Sequence, residues 1–275
     1  MKLSILGARV IDPGTQLDQV TDLHLEAGKI IAIGAAPAGF TPTQTIEAQG
    51  LVAAPGLVDL NVALREPGYS RKGTIASETR AAAAGGVTSL CCPPHTKPVL
   101  DTSAVAELIL DRAREAGNCK VFPIGALSKG LEGEQLAELI ALRDAGCVAF
   151  GNGLNSFTNT RTLCRALEYA ATFDLTVIFH SQDRDLAEGG IAHDGAMAAF
   201  RGLPGIPETA ETVALARDLL LVEQSGVRAH FSQLTSARGV ALIAQAQARG
   251  LKVTADVALY QLILTDEALE DFSSV

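Results

Sequence analysis

From about residue 54 onward the chain alternates short apolar runs with longer amphipathic ones, and this alternation limits the fold more than any other feature. The strand candidates are "GLVDLNVAL", "GVTSLCC", "KVFPIGAL", "GCVAFGNG", "LTVIFHS", "VRAHFSQL" and "KVTADVAL". Between them lie helical segments: "TSAVAELILDRAREAG", "GEQLAELIALRDAG", "NTRTLCRALEYAATFD", "ETAETVALARDLLLVEQSG" and "SARGVALIAQAQARG". In the last of these Val240, Leu242, Ile243 and Ala246 recur at helical spacing and a glycine closes the helix. Similar small-residue endings, Ala116-Gly117, Ala145-Gly146 and Ser225-Gly226, mark helix-to-strand joints. Strands alternating with helices in this way build a parallel sheet through right-handed crossovers. A closed eightfold barrel needs eight such units. Six or seven precede the ending "EDFSSV", so the expectation is an α/β fold, a (β/α)8 barrel incomplete at its C-terminus, in a piece of a longer chain.

The first fifty residues differ. "KLSILGARVI", "DLHLEAGKIIAIG" and "TQTIEAQGLVAAPG" are short β-rich pieces separated by Pro, Gly and Asp turns. The expected organisation is a small β domain over 1–53 and the barrel over 54–275, truncated before its last strands. His24, between Leu23 and Leu25, reads as a surface or half-buried strand residue and not as a ligand.

Composition narrows the functional classes. With 48% apolar and 19% charged residues there is material for a large core, and the absence of Trp beside 4% aromatics suits helices packed on a parallel sheet. A net charge of −9 and a pI near 5.1 exclude nucleic acid and anionic membrane as expected partners, because phosphate binding needs a basic surface. The five cysteines (Cys91, Cys92, Cys119, Cys147, Cys164) contain no CxxC pair and read as buried reduced thiols. The start "MKLSILGARVIDPG" reaches a Pro-Gly turn before any long apolar stretch, and no apolar run reaches the roughly 18 residues of a membrane span. The expectation is a soluble, cytoplasmic protein.

One stretch, "PGLVDLNVALREPG" at 55–68, raises the chemical question. If it is a strand throughout, Asp59, Asn61 and Ala63 share one face and Val58, Leu60, Val62 and Leu64 the other. The first set would point into the barrel, toward the carboxyl end where barrel active sites sit.

This stretch resembles the dihydroorotases and their cyclic amidohydrolase relatives, whose signature is PGLVDxHVHxREPG. The resemblance continues in order through "KGTIASETRAAAAGGVTSLCCPPHTKPVLD", "HSQDRDLAEGG", "RGLPGIPETAETVALARDLLLVEQSGVRAHFSQLTS" and "ARGLKVTADVALYQLILTDEAL". It implies an amidohydrolase-type barrel and, in active relatives, a zinc site that activates water to open or close a cyclic amide. Zinc takes imidazole, carboxylate or thiolate donors at about 2.0–2.3 Å, normally three from protein plus a water.

By that resemblance, the two signature histidines fall on Asn61 and Ala63. The acidic or carbamylated-lysine segment falls on "AFGNGLNS", with Asn152 and Gly153 in place of acids. The histidine of the HxED segment is kept as His180. Of an HxxH-like element, His230 is kept and Gln233 replaces the zinc-binding histidine. The sixth-strand motif EVTPHH reads "DVALYQ", with Leu259, Tyr260 and Gln261 for Pro-His-His. Arg65 matches the arginine that pairs with a substrate carboxylate, and His95 replaces its usual Asn partner, so these two form a candidate residual anion site.

The expectation is therefore no catalytic residue, no metal and no cofactor, with Asn61, Ala63, His180 and Gln233 as vestigial positions. His180 and His230 read as hydrogen-bonded residues, His193 beside Asp194 as a loop residue, and Asp183 and Asp185 as turn or helix-start residues. Arg65–Glu66 reads equally well as a structural ion pair. Two classes of function follow. In the first, the chain resembles the inactive dihydroorotase-like subunit that scaffolds aspartate carbamoyltransferase in pyrimidine synthesis. Its partner would be the transferase catalytic chain in a hetero-oligomer, with self-association a further option. In the second it is an enzyme with an altered site, metal-dependent or using His180, Asp183 or Cys91–Cys92, or a module that binds a small carboxylate through Arg65.

Overall fold

A computed structural model of the chain describes residues 1–157 and 159–269; the ending "EDFSSV" lies outside them. The chain divides into two units, Met1–Leu57 and Val58–Val275.

The first unit is a five-stranded sheet. β1 (Lys2–Asp12) pairs antiparallel with β2 (Leu17–Glu26), and β2 with β3 (Lys29–Ile33). β4 (Gln44–Glu47) and β5 (Val52–Ala53) run parallel to β1. Ala8, Val10, Leu23 and Ala48 form its core. The β1–β2 register breaks between Ile5 and Ala8, where Gly7 takes φ +70° and donates its N–H to Asp22 Oδ1 at 2.8 Å. His24 is buried, at 4% exposure, and so is not the surface or half-buried residue expected from sequence. It brings its own partners inside: Nε2 lies 3.0 Å from the Gly34 carbonyl and Nδ1 2.9 Å from Ser4 Oγ, with Phe40 against the ring.

The second unit is built on a seven-stranded sheet. Its strands are β6 (Leu57–Asp59), β7 (Val87–Cys92), β8 (Lys120–Ala126), β9 (Ala149–Gly151), β10 (Thr176–Phe179), β13 (Arg228–Phe231) and β14 (Val253–Ala255). They lie side by side in chain order, with β6 and β14 at the edges, and each pair from β7 to β14 is parallel. The crossovers carry α1 (Ile75–Ala84), α2 (Ser103–Ala116), α3 (Leu139–Asp144), α4 (Thr160–Thr172), α7 (Glu208–Ser225) and α8 (Ala237–Ala248). Helix faces bearing Ile109, Leu142, Leu163, Leu167 and Leu215 bury against Leu90, Phe150, Val177 and Phe231 of the sheet. The Phe179 and Phe231 rings stack at 5.0 Å and 12° between neighbouring strands. This is an incomplete (β/α) barrel, as the alternation implied.

Four local readings change. The stretch "GLVDLNVAL" is strand only to Asp59: Asp59 Oδ1 accepts the Asn61 N–H at 3.0 Å and breaks the extended run, while the chain stays beside β7 through the Val62 N–H to the Cys91 carbonyl at 2.9 Å. Alternation therefore stops there. In "GEQLAELIALRDAG" only Leu139–Asp144 is helical, because Gly133 at φ +74° packs on Phe157 and Ser128 bridges to Leu136. α1 is not legible as a helix in the sequence, because its alanine run hides the helical period, although Thr74 and Ser77 form a capping box. The loop around His193 is an excursion of short elements: α5 (Arg184–Ala187), β11 (Ala192–His193), α6 (Ala196–Arg201) and β12 (Gly205–Ile206). His193 is exposed in β11. All five cysteines are free thiols, but only Cys92 and Cys147 are fully buried. Among the described residues no helix is long and apolar enough to cross a membrane.

Candidate functional site at the carboxyl ends of the strands

Beyond the carboxyl ends of the strands the chain opens a cavity of about 570 Å³. Much of its wall comes from residues that follow the strands: Leu60, Asn61, Ala63, Leu64 and Arg65 after β6, Pro93 to Thr96 after β7, Gly153 and Leu154 after β9, His180 after β10, Ser232 and Gln233 after β13. Asn61, Ala63, Arg65, His95, His180 and Gln233 thus meet at one place, although they span 173 positions from 61 to 233. Leu60 and Leu64 line the same cavity, which an alternating strand would not allow. Tyr69, Lys72 and Thr96 also line it and were not singled out from sequence. They sit in loops, where no periodicity points to a face.

The cavity has two fixed cations, Arg65 and Lys72, and no Asp or Glu among its lining residues. Among the described residues no carboxylate pairs with Arg65; Glu66, its expected partner, instead accepts the Ile75 N–H at 2.9 Å and caps the start of α1. Arg65 and Gln233 both hold left-handed backbone, at φ +65° and +59°. For a residue with a Cβ that conformation costs about 1 kcal/mol, so the cavity rim is held against local preference.

The two cavity histidines are fixed differently. His95 Nε2 accepts the Leu154 N–H at 3.0 Å, which assigns the proton of the neutral ring to Nδ1. Burial lowers its pKa, and the neighbouring His180 adds to this. Burial also lowers the pKa of His180, against a hydrogen bond to the Ser232 backbone and the charge of Glu211. His230 stands outside the cavity lining. Its Nδ1 lies 2.8 Å from Thr254 Oγ1 and its Nε2 2.9 Å from Asp256 Oδ2, so both ring nitrogens are engaged. Asp256 was not singled out from sequence, although it lies at the end of "KVTAD", beside the strand that carries His230.

The other positions are structural. Asn152 is buried, accepts the Ser128 hydroxyl at 2.6 Å and donates to Leu131 and Asn155 carbonyls, tying three loops. Asp183 caps α5 through the Leu186 N–H at 3.0 Å, and Asp185 lies in its first turn. Leu259 and Tyr260 are exposed in a short 3-10 turn, whose Gln261 accepts the Ala258 N–H.

A zinc ion needs several imidazole, carboxylate or thiolate donors converging at once. Here Asn61 and Gln233 offer amides, Ala63 and Gly153 offer nothing, and the His230 nitrogens are taken. Among the described residues no group of three or more His, Cys, Asp or Glu is arranged to hold a metal. Among the described residues the donor set does not fit zinc.

A family model described as dihydro-orotase-like matches residues 50–238. A dihydroorotase-like protein of Pseudomonas putida is 81% identical over 275 residues, covering all of this chain and 65% of that protein. A dihydroorotase of Syntrophus aciditrophicus is 45% identical over 276 residues, again covering 65% of its length. The chain thus spans just under two thirds of the relatives it matches. Among solved structures, L-hydantoinase (dihydropyrimidinase) from Arthrobacter aurescens superposes with a TM-score of 0.81 at 22% identity, over 98% of this chain and 60% of that one. That likeness establishes the amidohydrolase-type fold. The chain belongs to the dihydro-orotase-like family.

Proposed function

We propose that this member of the dihydro-orotase-like family is a non-catalytic one, a structural subunit that scaffolds aspartate carbamoyltransferase in pyrimidine biosynthesis in the cytoplasm. One observation carries the non-catalytic part: the strand ends that would supply metal donors to the cavity carry Asn61, Ala63, Gly153 and Gln233. Water at neutral pH is made nucleophilic in such a site by a metal that lowers its pKa, and three or more ligands are needed to hold that metal. The core and the parallel sheet are kept while the donors are replaced, as expected of a chain selected for its surface and not for its chemistry. The transferase as partner follows from the resemblance to scaffolding dihydroorotase-like subunits.

A second reading is a cyclic amidohydrolase with an altered site. The cavity favours it, because Arg65 and Lys72 can hold an anionic substrate there, with His95 beside them. A relative at 45% identity also bears the name dihydroorotase.

Two measurements on purified protein separate the readings. Elemental analysis together with dihydroorotate hydrolysis should give far less than one metal per chain and no turnover. Stoichiometric metal or measurable hydrolysis would favour the enzyme. Size-exclusion with the aspartate carbamoyltransferase catalytic chain should shift both proteins to higher mass, and separate elution would remove the scaffolding claim.

A further inference from the structure

The lack of donors at 61, 63 and 233 is a matter of residue type, but at 153 the geometry bars a side chain as well. A Cβ placed on Gly153 would fall 1.8 Å from His95 Nε2 and 1.9 Å from its Cε1. No side chain can stand at 153 while the imidazole is where it is. The ring is not loosely placed: the Leu154 N–H donates to Nε2 at 3.0 Å, so the loop after β7 is fastened to the loop after β9. Gly153 also holds φ +59°, which suits glycine. It lines the cavity together with His95 and His180, one residue beyond the buried Asn152 anchor. A carboxylate at 153 would therefore face the cavity from the end of β9, where it would offset the charge of a metal held by neutral imidazoles.

We propose that His95 is a specificity-determining residue of the cavity: its ring occupies the seat of a side chain at 153 and thereby excludes a divalent cation. The imidazole and an acidic side chain at 153 are mutually exclusive occupants of one space. Restoring metal affinity then takes a paired change at 95 and 153, and neither change alone will do. This deepens the non-catalytic reading and rests on it, since a wild-type chain that bound zinc tightly would already have a donor set.

The test uses zinc alone as the probe, titrated by calorimetry into the chain carrying Asn61→His, Ala63→His and Gln233→His. To that background are added Gly153→Asp, His95→Asn, or both. The pair should tighten zinc binding by about tenfold or more, the scale on which even an outer partner of a metal ligand acts, while each single change leaves it unaltered. If Gly153→Asp alone tightens binding as much as the pair, the ring does not exclude an acid and the proposal is overturned. If the pair has no effect, position 153 is not a metal-facing seat and the proposal is overturned too. Should Gly153→Asp fail to fold, thermal unfolding of His95→Ala, Gly153→Ala and the double variant in the natural background gives a second reading. The strain of a Cβ at φ +59° is common to both backgrounds and cancels in the cycle. Gly153→Ala should lower the midpoint much less when His95 is already alanine, and strictly additive losses would sink the shared seat. Absence of turnover in the natural chain bears on the non-catalytic reading alone, so the two can fail separately.

Discussion

The imidazole of His230 and the carboxylate of Asp256 stand 2.9 Å apart, Nε2 to Oδ2, at the end of neighbouring strands β13 and β14. The other carboxylate oxygen accepts the Gln233 N–H at 2.6 Å, and the Ser232 hydroxyl reaches both oxygens at 3.3 Å. Burial acts to raise the carboxyl pKa, but the hydrogen bonds from His230, Gln233 and Ser232 outweigh it and hold Asp256 below its ordinary value. One carboxylate thus occupies His230 and pins Gln233 in its left-handed backbone. A group lowered on folding contributes stability in full above its unfolded pKa, near ~4 for Asp, and loses it as pH falls through the folded value.

Asp256→Ala should accordingly cost about 2–3 kcal/mol at neutral pH, because it leaves a partly buried imidazole, an N–H and a hydroxyl without their acceptor. Urea unfolding of both proteins from pH 7 downward checks this. The gap should be constant to about pH 5 and narrow below about pH 4, where the wild type protonates the same group. A gap that does not change with pH would show that the charge of Asp256 contributes nothing.

This relationship also marks what could be read from the chain. The seven strands were legible because each is a short apolar run between turn residues, and the meeting of Asn61, Ala63, Arg65, His95, His180 and Gln233 followed from placing the residue after each strand at one end of the sheet. Asp256 was not legible, because its significance depends on the register that sets Thr254 beside His230. The His95 contact with Gly153 was hidden for the same reason: residues 58 positions apart show no pattern that tells which ring fills which space. Asn61 and Ala63 do reach the cavity, but not as inward strand residues, since the Asp59 side chain breaks the extended run before either of them.

Asp218 gives the opposite pH signature. It is 2% exposed on α7, accepts the Ser181 hydroxyl at 2.9 Å, and takes two bonds from Arg217 at 2.8 and 2.9 Å. Burial nevertheless pushes its pKa up, overcoming the lowering by Arg217 and Ser181. A raised folded pKa means that the ionised form is costly in the fold and that the cost disappears as pH falls through that raised value. Asp218→Asn has no such cost to lose. The stability of wild type relative to Asp218→Asn should therefore increase as pH is lowered from neutral toward the ordinary carboxylate value near ~4. Paired denaturant titrations measure it, and a difference moving the other way would show that Arg217 dominates over burial.

Glu211 fastens α7 to the turn that follows Gln233. Its carboxylate accepts the Thr235 N–H at 2.7 Å and hydroxyl at 2.6 Å through one oxygen, and the Ser236 N–H at 3.1 Å and hydroxyl through the other. Ser236 in turn caps α8 through the Gly239 N–H at 2.9 Å. Glu211→Ala should cost about 2 kcal/mol, since two backbone donors and two hydroxyls lose a charged acceptor. Hydrogen exchange should quicken at Thr235, Ser236 and the first turn of α8, and hardly at β13. Unchanged exchange at Thr235 and Ser236 would show that the carboxylate does not hold the turn.

The thiols test how closed the core is. Burial pushes Cys92 and Cys147 up to about 12, with Leu64 backbone lowering and Cys91 raising the first, and Cys92 raising the second. Because the thiolate is the nucleophile, at pH 8 either residue has on the order of one part in ten thousand in reactive form. Cys119 is also raised by burial, but it is only partly covered and has a path to reagent. Native protein treated with iodoacetamide at pH 8 and read by peptide mass spectrometry should therefore label Cys119 slowly and leave Cys92 and Cys147 unmodified. Both should label together once denaturant opens the sheet, because they lie in the same buried cluster as Leu90, Leu142 and Phe150. Native labelling of Cys92, which also borders the cavity, at the rate of Cys119 would mean that the cavity wall carrying His95 opens to reagent at little cost.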